Sequence, residues 1–286
     1  MKKIIYFIEF IIIYIFFIFF KLLGYRISSN FGFLIGKLFG PIFRSKKLII
    51  ENIKKSNISI KQNYKHVASN VLGNYGRMFS EYPFLKNFRN GDLNNFIEII
   101  GKNYLEIIKK ERKSVVFVSG HFNNFELMAM QIEKIGIELS AIYRPLNNIF
   151  LNKTMEKIRT EYICKNQIKK GRTGTRQLIK NLKKGNSVAL MIDQRVREGS
   201  KVKFFGNLAS TTTIPAQLIK KYKCELVPIY IERYNNYYFK MHVSKPISVG
   251  SKKSVEDISS FLNKVLEKMI IKNPDQWIWT HDRWKK

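Results

Sequence analysis

Beyond residue 113 the chain repeatedly alternates short apolar runs of strand length with longer segments of helical spacing. Ser114-Val115-Val116-Phe117-Val118 is apolar at successive positions, the pattern of a strand buried on both faces of a sheet. Strands are expected over 115–119, 137–143, 187–193, 226–232 and 237–243, the last two joined as a hairpin across Asn235-Asn236. Helices are expected over 124–135, 148–162, 177–184, 214–222 and 255–271. This alternation predicts an α/β fold with a largely parallel, mixed sheet flanked by helices. Residues 24–113 read as helical and partly interfacial, and 114–286 as the α/β core of a single domain spanning 24–286.

The N-terminus adds a second constraint. Residues 4–20 are apolar except for Glu9, and Leu22-Leu23 extend the run past Lys21. As a helix, residues 4–23 would reach about 30 Å, the hydrocarbon thickness of a bilayer. Residues 1–23 are therefore expected to be a membrane-anchor helix, the alternative being a helix buried in a soluble core. No small-residue cleavage site follows the run, which argues against a signal peptide. Lys21, Arg26, Lys37, Arg44, Lys46 and Lys47 follow it, against Lys2 and Lys3 before it, an asymmetry that places the body on the cytoplasmic side. Residues 31–39 form a second apolar stretch, too short to span, read as an interfacial helix.

Fifty-one basic residues face 21 acidic ones, a net charge of +30 that draws the chain to anionic surfaces and acidic partners. An AT-rich-genome bias toward Lys, Ile, Asn, Phe and Tyr contributes to it. No nucleic-acid-binding motif accompanies the charge. Two cysteines, Cys164 and Cys224, and four scattered histidines give no metal-ligand spacing and no disulfide framework. Neither a metal nor another cofactor is expected.

In parallel sheets, ligands bind beyond the carboxyl ends of the strands, and polar residues collect there. Ser119-Gly120-His121-Phe122-Asn123-Asn124-Phe125-Glu126 follows the first strand. A neutral imidazole takes a proton from an attacking hydroxyl, and a nearby carboxylate stabilises the imidazolium. His121 and Glu126 are thus the expected catalytic pair, with a capping box at Asn123-x-x-Glu126 as the structural alternative. Asn124 opens the following helix, whose first amides suit an oxyanion. Arg144 after the second strand and Arg172 in the basic loop 169–176 suit phosphate. Asp193 and Gln194 after the third are expected to organise the acceptor or the His121 network, or to cap a helix. No Gly-x-Ser-x-Gly elbow is present, so direct transfer without an acyl-enzyme is expected. His281, in the tryptophan-rich C-terminal run, is a weaker rival base. That run is expected to fix the chain end against the core, with a membrane interface as the alternative.

In order along the chain, Gly120-His121-Phe122-Asn123-Asn124-Phe125-Glu126, Tyr143-Arg144-Pro145, Asp193-Gln194 with Phe204-Phe205-Gly206, Cys224-Glu225-Leu226-Val227-Pro228 and Gln276-Trp277-Ile278-Trp279 resemble the motifs of lipid A biosynthesis acyltransferases. These belong to the lysophospholipid acyltransferase superfamily, with its His-x-x-x-x-Asp/Glu motif. Phe125 stands where many relatives carry Trp. The resemblance implies a glycerolipid-acyltransferase-like fold at the bacterial inner membrane. It also implies acyl carrier protein as donor and an anionic lipid acceptor. His121 would be the base, Glu126 its orienting carboxylate, and Asn124, Arg144, Arg172, Asp193 and Gln194 substrate-binding residues.

Overall fold

The computed structural model describes residues 1–250 and 252–285. The chain opens with four helices, Lys2–Leu23 (α1), Tyr25–Phe43 (α2), Lys46–Lys55 (α3) and Tyr64–Glu81 (α4). Leu85–Asn90 (α5), Ile97–Ile100 (β1) and Lys102–Glu111 (α6) lead into the core. There follow Val115–Ser119 (β2), Glu126–Lys134 (α7), Leu139–Tyr143 (β3), Ile149–Ile158 (α8), a π-helical turn Arg159–Ile163, Asn166–Lys169 (β4), Arg172–Lys183 (α9) and Ser187–Met191 (β5). A hairpin, Ser200–Phe204 (β6) with Asn207–Thr211 (β7), precedes Ile214–Tyr222 (α10), Glu225–Tyr234 (β8), Tyr238–Val243 (β9) and Val255–Lys272 (α11).

The sheet is α/β in class and mostly parallel, as the alternation predicts. Its order is β1-β9-β8-β2-β5-β3-β4. β8, β2, β5, β3 and β4 run parallel, while β9 is antiparallel to β8 and carries β1 at the edge. Every residue of β2 is buried, because a strand between two parallel neighbours has no solvent face. Asn235 and Asn236 both take positive φ, 43° and 67°, which closes the β8–β9 hairpin. Three features differ from expectation. Residues 97–100 form an edge strand within the stretch read as helical, 166–169 form a second edge strand, and β6–β7 is a separate two-stranded sheet. All are only four or five residues long and pair at edges or with each other, too brief for their pattern to be told from that of a helix or loop.

α2 and α4 pack backbone to backbone. A Cβ on Gly76 would lie 1.9 Å from the Gly32 carbonyl oxygen, and one on Gly36 2.4 Å from the Leu72 carbonyl oxygen. Only glycine permits that approach. The other side of α2 shows Ile27, Phe31, Leu34, Leu38 and Ile42 to the exterior, a helical stripe of exposed apolar residues. α1 is long and apolar enough to cross a membrane, is 6% buried over its most apolar window, and is a candidate membrane anchor. The core-helix alternative fails on that exposure.

The cleanest test of anchoring spares the end of α1, because Phe20 is buried and Phe17 stacks on Tyr82 with ring centroids 6.3 Å apart. Deleting residues 2–12 removes the contacts of Tyr6, Phe7, Glu9 and Phe10 with Asn148 and Phe150 but keeps those of Phe17 and Phe20. It is therefore expected to weaken liposome flotation and to lower the thermal unfolding midpoint of the detergent-solubilised protein without abolishing its folding. Unaltered flotation would show that the α2 stripe suffices.

Candidate active site

β2 and β5 are neighbours in the sheet, and each is followed two residues beyond its end by a residue of the site. The Ile192 N–H still donates to the Ser119 carbonyl at 2.9 Å, so the two strands stay in register to their ends. Beyond that point the chains part, with His121 on one and Asp193 on the other. Gly120 makes this possible. A Cβ there would meet Leu266 at 2.9 Å and Asp193 Oδ2 at 3.2 Å.

Asp193 is 1% exposed and accepts three hydrogen bonds. Its Oδ1 receives His121 Nδ1 at 2.8 Å, while its Oδ2 receives the His121 backbone N–H at 2.7 Å and Trp277 Nε1 at 2.9 Å. Burial alone would raise its pKa, but the His121 imidazole and these donors hold the carboxyl below its usual value. An ionised carboxylate only accepts, so Nδ1 carries the proton and Nε2 is the free basic nitrogen. Burial alone would lower the His121 pKa. Asp193, by charge and hydrogen bond, outweighs burial, with Glu126 adding to it, and the net direction is upward. Phe125 packs against the imidazole, ring centroids 4.7 Å apart in a T-shaped contact.

Glu126 therefore stands elsewhere than expected. Its Oε1 accepts Arg159 Nε at 3.0 Å, Arg159 Nη2 at 2.9 Å and the Tyr82 hydroxyl at 2.6 Å. It acts on the imidazole by charge, while the hydrogen bond to Nδ1 comes from Asp193. The spacing of five suggested the direct pair, but Glu126 begins α7 and turns toward α4 and the π-helical turn. The capping box does not form either: Phe125 is the N-cap, without a side-chain cap bond. Arg159 was missed because it lies within a helical run, away from any strand end.

The other expected residues separate. Asn124 is fully buried and donates to Glu81 Oε2 at 3.3 Å, so its amide side chain serves a buried ion pair. Arg144 is exposed beyond β3, and Arg172 is exposed at the start of α9; neither lines the cleft around His121. Gln194 is half-buried in the turn after Asp193. His281 is no rival base, since its Nε2 accepts the Arg195 backbone N–H at 3.0 Å and burial lowers its pKa. Phe204 packs between Trp277 and Trp284. Cys164 and Cys224 are free thiols, and no cluster of metal-ligating side chains occurs among the described residues.

Part of this arrangement rests on the C-terminal segment. Phe122 bridges to Trp277, the Asn123 backbone N–H donates to the Gln276 carbonyl at 3.2 Å, and Asn123 Nδ2 reaches Gln276 Oε1 at 2.8 Å. Arg283 is fully buried, donating to the Ser210 carbonyl and to Thr211 Oγ1. The tryptophans are buried, so the run fixes the chain end and also walls the site. The cleft over His121 is closed by Tyr75 and Met78 of α4 on one side and by Asp275 and Ile278 on the other. Burial raises the Asp275 carboxyl above its usual value.

This geometry suits removal of a proton from a hydroxyl at Nε2, in a cleft with apolar walls. A family profile described as bacterial lipid A biosynthesis acyltransferase matches residues 1–286. The chain is 24% identical over 277 residues to the lipid A biosynthesis palmitoleoyltransferase of Escherichia coli (strain K12), covering 92% of this chain and 86% of that one. The lipid A biosynthesis acyltransferase of Shigella flexneri matches to the same extent. The lipid A biosynthesis lauroyltransferase of Escherichia coli (strain K12) is 28% identical over 201 residues, 66% of this chain and 61% of that one.

Proposed function

Since the chain belongs to the bacterial lipid A biosynthesis acyltransferase family, we propose that it moves a fatty acyl chain from an acyl carrier protein thioester to a hydroxyl of a phosphorylated lipid A precursor. Acyl transfer in lipid A biosynthesis follows from the family. The donor, the acceptor and the residues that act are our reading.

His121 Nε2 takes the acceptor hydroxyl proton as the oxygen attacks the thioester carbonyl. Asp193 holds the imidazole by Nδ1 and balances the charge that forms on it. Glu126 adds a carboxylate charge near the ring without touching it, and the charge of its Arg159 partner opposes that effect. The tetrahedral oxyanion faces the first amides of α7, where the helix dipole is positive. The intermediate collapses, the carbon–sulfur bond breaks, and the imidazolium returns its proton to the departing thiolate. No covalent acyl-enzyme is required, because the acceptor oxygen is itself the nucleophile.

The observation that carries this reading is the Asp193–His121 pair beyond the ends of two adjacent parallel strands, in a cleft lined by Tyr75, Met78, Phe125 and Ile278. The net charge of +30 favours an acidic donor protein and a phosphorylated acceptor. The basic residues that follow α1 favour the anionic cytoplasmic leaflet, which supports a body on the cytoplasmic side of the inner membrane. The test is mass spectrometry of lipids from cells lacking this chain, together with assay of the purified protein on carrier-protein thioesters. The expected result is lipid A short by one secondary acyl chain. Unchanged lipid A beside altered phospholipids or ornithine lipids would assign the same chemistry to another acceptor.

A further inference from the structure

We infer that α1 does not cross the bilayer but lies along one leaflet, with its length against the protein and both chain ends on the same side. This inference is independent of the reaction, and the observations are the contacts of α1 with the body at both of its ends.

Near its start, Asn148 Nδ2 donates to the Tyr6 carbonyl at 2.8 Å and to Glu9 Oε2 at 3.0 Å. Phe150 packs on Phe7 and Phe10, with ring centroids 5.5 and 6.3 Å away. Near its end, Phe17 meets Phe79 at 5.3 Å and Lys21 donates to the Pro83 carbonyl at 3.2 Å. Tyr6, Phe10, Ile13, Phe17 and Phe20 recur at helical spacing, and they are the less exposed positions of the helix. One face of α1 is therefore seated on the body from Tyr6 to Lys21, about 22 Å of helix.

A spanning α1 would pull that flank of the body into hydrocarbon with it. The flank is not built for this. Arg144 and Asn147 are exposed beside the Asn148 contact, and Lys86 is exposed beside the Lys21 contact. Charged and polar groups in the bilayer core lack partners. Laid in the plane, the same helix meets no such conflict. Its outward side carries Ile8, Ile11, Ile15, Ile18 and Leu22, and Phe19 touches Phe31 at 6.0 Å, which joins it to the exposed stripe of α2. Glu9, costly in a span, is hydrogen-bonded to Asn148 on the protein-facing side. Lys2, Lys3, Arg26, Lys46 and Lys47 sit near the ends of this apolar surface, placed for anionic headgroups. The occupant is thus one leaflet of an anionic bilayer.

The test uses the full-length chain with Cys164 and Cys224 replaced by Ser. Single cysteines at Lys2 and at Lys285 are treated with a membrane-impermeant maleimide in sealed right-side-out and inverted vesicles. Both are expected to label from the same face, with at least a tenfold preference over the other. A second protein, carrying Phe7→Cys and Phe150→Cys, is expected to cross-link in intact membranes with a short thiol-reactive linker. Labelling of the two ends from opposite faces overturns the inference, as does failure of the pair to cross-link. Neither readout depends on acyl transfer, so an error in the acceptor or donor leaves this result standing, and the reverse also holds.

Discussion

His121→Ala and Asp193→Asn are each expected to reduce turnover by orders of magnitude while leaving membrane association intact. Removing a positioned base costs about 10²–10⁴-fold. Replacing the buried carboxylate of a His–Asp pair by its amide costs about 10⁴-fold where it has been measured in serine-protease triads, because the wrong tautomer results. Here the amide nitrogen introduced by Asp193→Asn would face Nδ1, forcing the ring proton onto Nε2 and removing the lone pair the reaction needs. The pH profile separates this role from simple loss of folding. Catalysis requires neutral His121, whose pKa is raised above its ordinary 6.5. Activity of the wild type should therefore fall on the acid side as pH drops through a value above 6.5. Residual activity of Asp193→Asn should fall at a lower pH, since the larger raising charge is gone and burial, which lowers the imidazole, is then opposed only by Glu126. An acid limb identical in both proteins would remove Asp193 from the mechanism. Wild-type turnover by His121→Ala in a detergent-micelle assay would remove the base itself.

How much of this was legible in the sequence depends on how far apart the interacting residues lie. β2 runs from Val115 to Ser119 as read, and α10 from Ile214 to Tyr222, because burial and helical spacing are local patterns. The polar residues at strand ends were found by the same logic, and Asp193 was among them. Its attachment to His121, 72 residues away, was only one of three readings, since strand order decides it and strand order is not a local property. The pairing assigned to Glu126 went the other way: close in sequence, it is drawn off by Tyr82 and Arg159, 44 and 33 residues distant. The in-plane seating of α1 has no signature of its own. Composition alone marks the helix as membrane-seeking, and the contact between Asn148 and Glu9 appears only in three dimensions.

Glu81→Ala is expected to be the most destabilising single change in the buried polar cluster beneath the site, more so than Arg233→Ala or Arg77→Ala. Glu81 is fully buried at the end of α4, and Arg233 of β8 grips it with Nη1 on Oε1 at 2.6 Å and Nη2 on Oε2 at 2.9 Å. Ser29 of α2 donates to the same carboxylate at 2.7 Å, and Asn124 donates to it from the turn after His121. Arg77 lies beside this pair, bound to Ser29 and Asn30, and burial followed by the Arg233 charge pushes it down to about 10. Glu81 is thus the carboxylate that balances both guanidinium groups, Arg233 by direct hydrogen bonds and Arg77 by charge alone. Removing one partner of a buried pair costs about 3–5 kcal/mol, because the other charge stays buried without compensation. Without Glu81 both cations lose their counter-charge, whereas without Arg77 the remaining pair is balanced one to one. The expected order of stability loss is therefore Glu81→Ala greater than Arg233→Ala, and Arg233→Ala greater than Arg77→Ala, read by thermal or denaturant unfolding in detergent. The double variant Glu81→Leu, Arg233→Met should recover part of the loss, since well-packed apolar replacements often match a buried ion pair. Arg77→Ala as damaging as Glu81→Ala would refute the charge argument and leave packing as the cause. Because Asn124 ties the turn carrying His121 to Glu81, folded Glu81→Gln protein should also show a lower kcat, with the acid limb of its pH profile still set by Asp193.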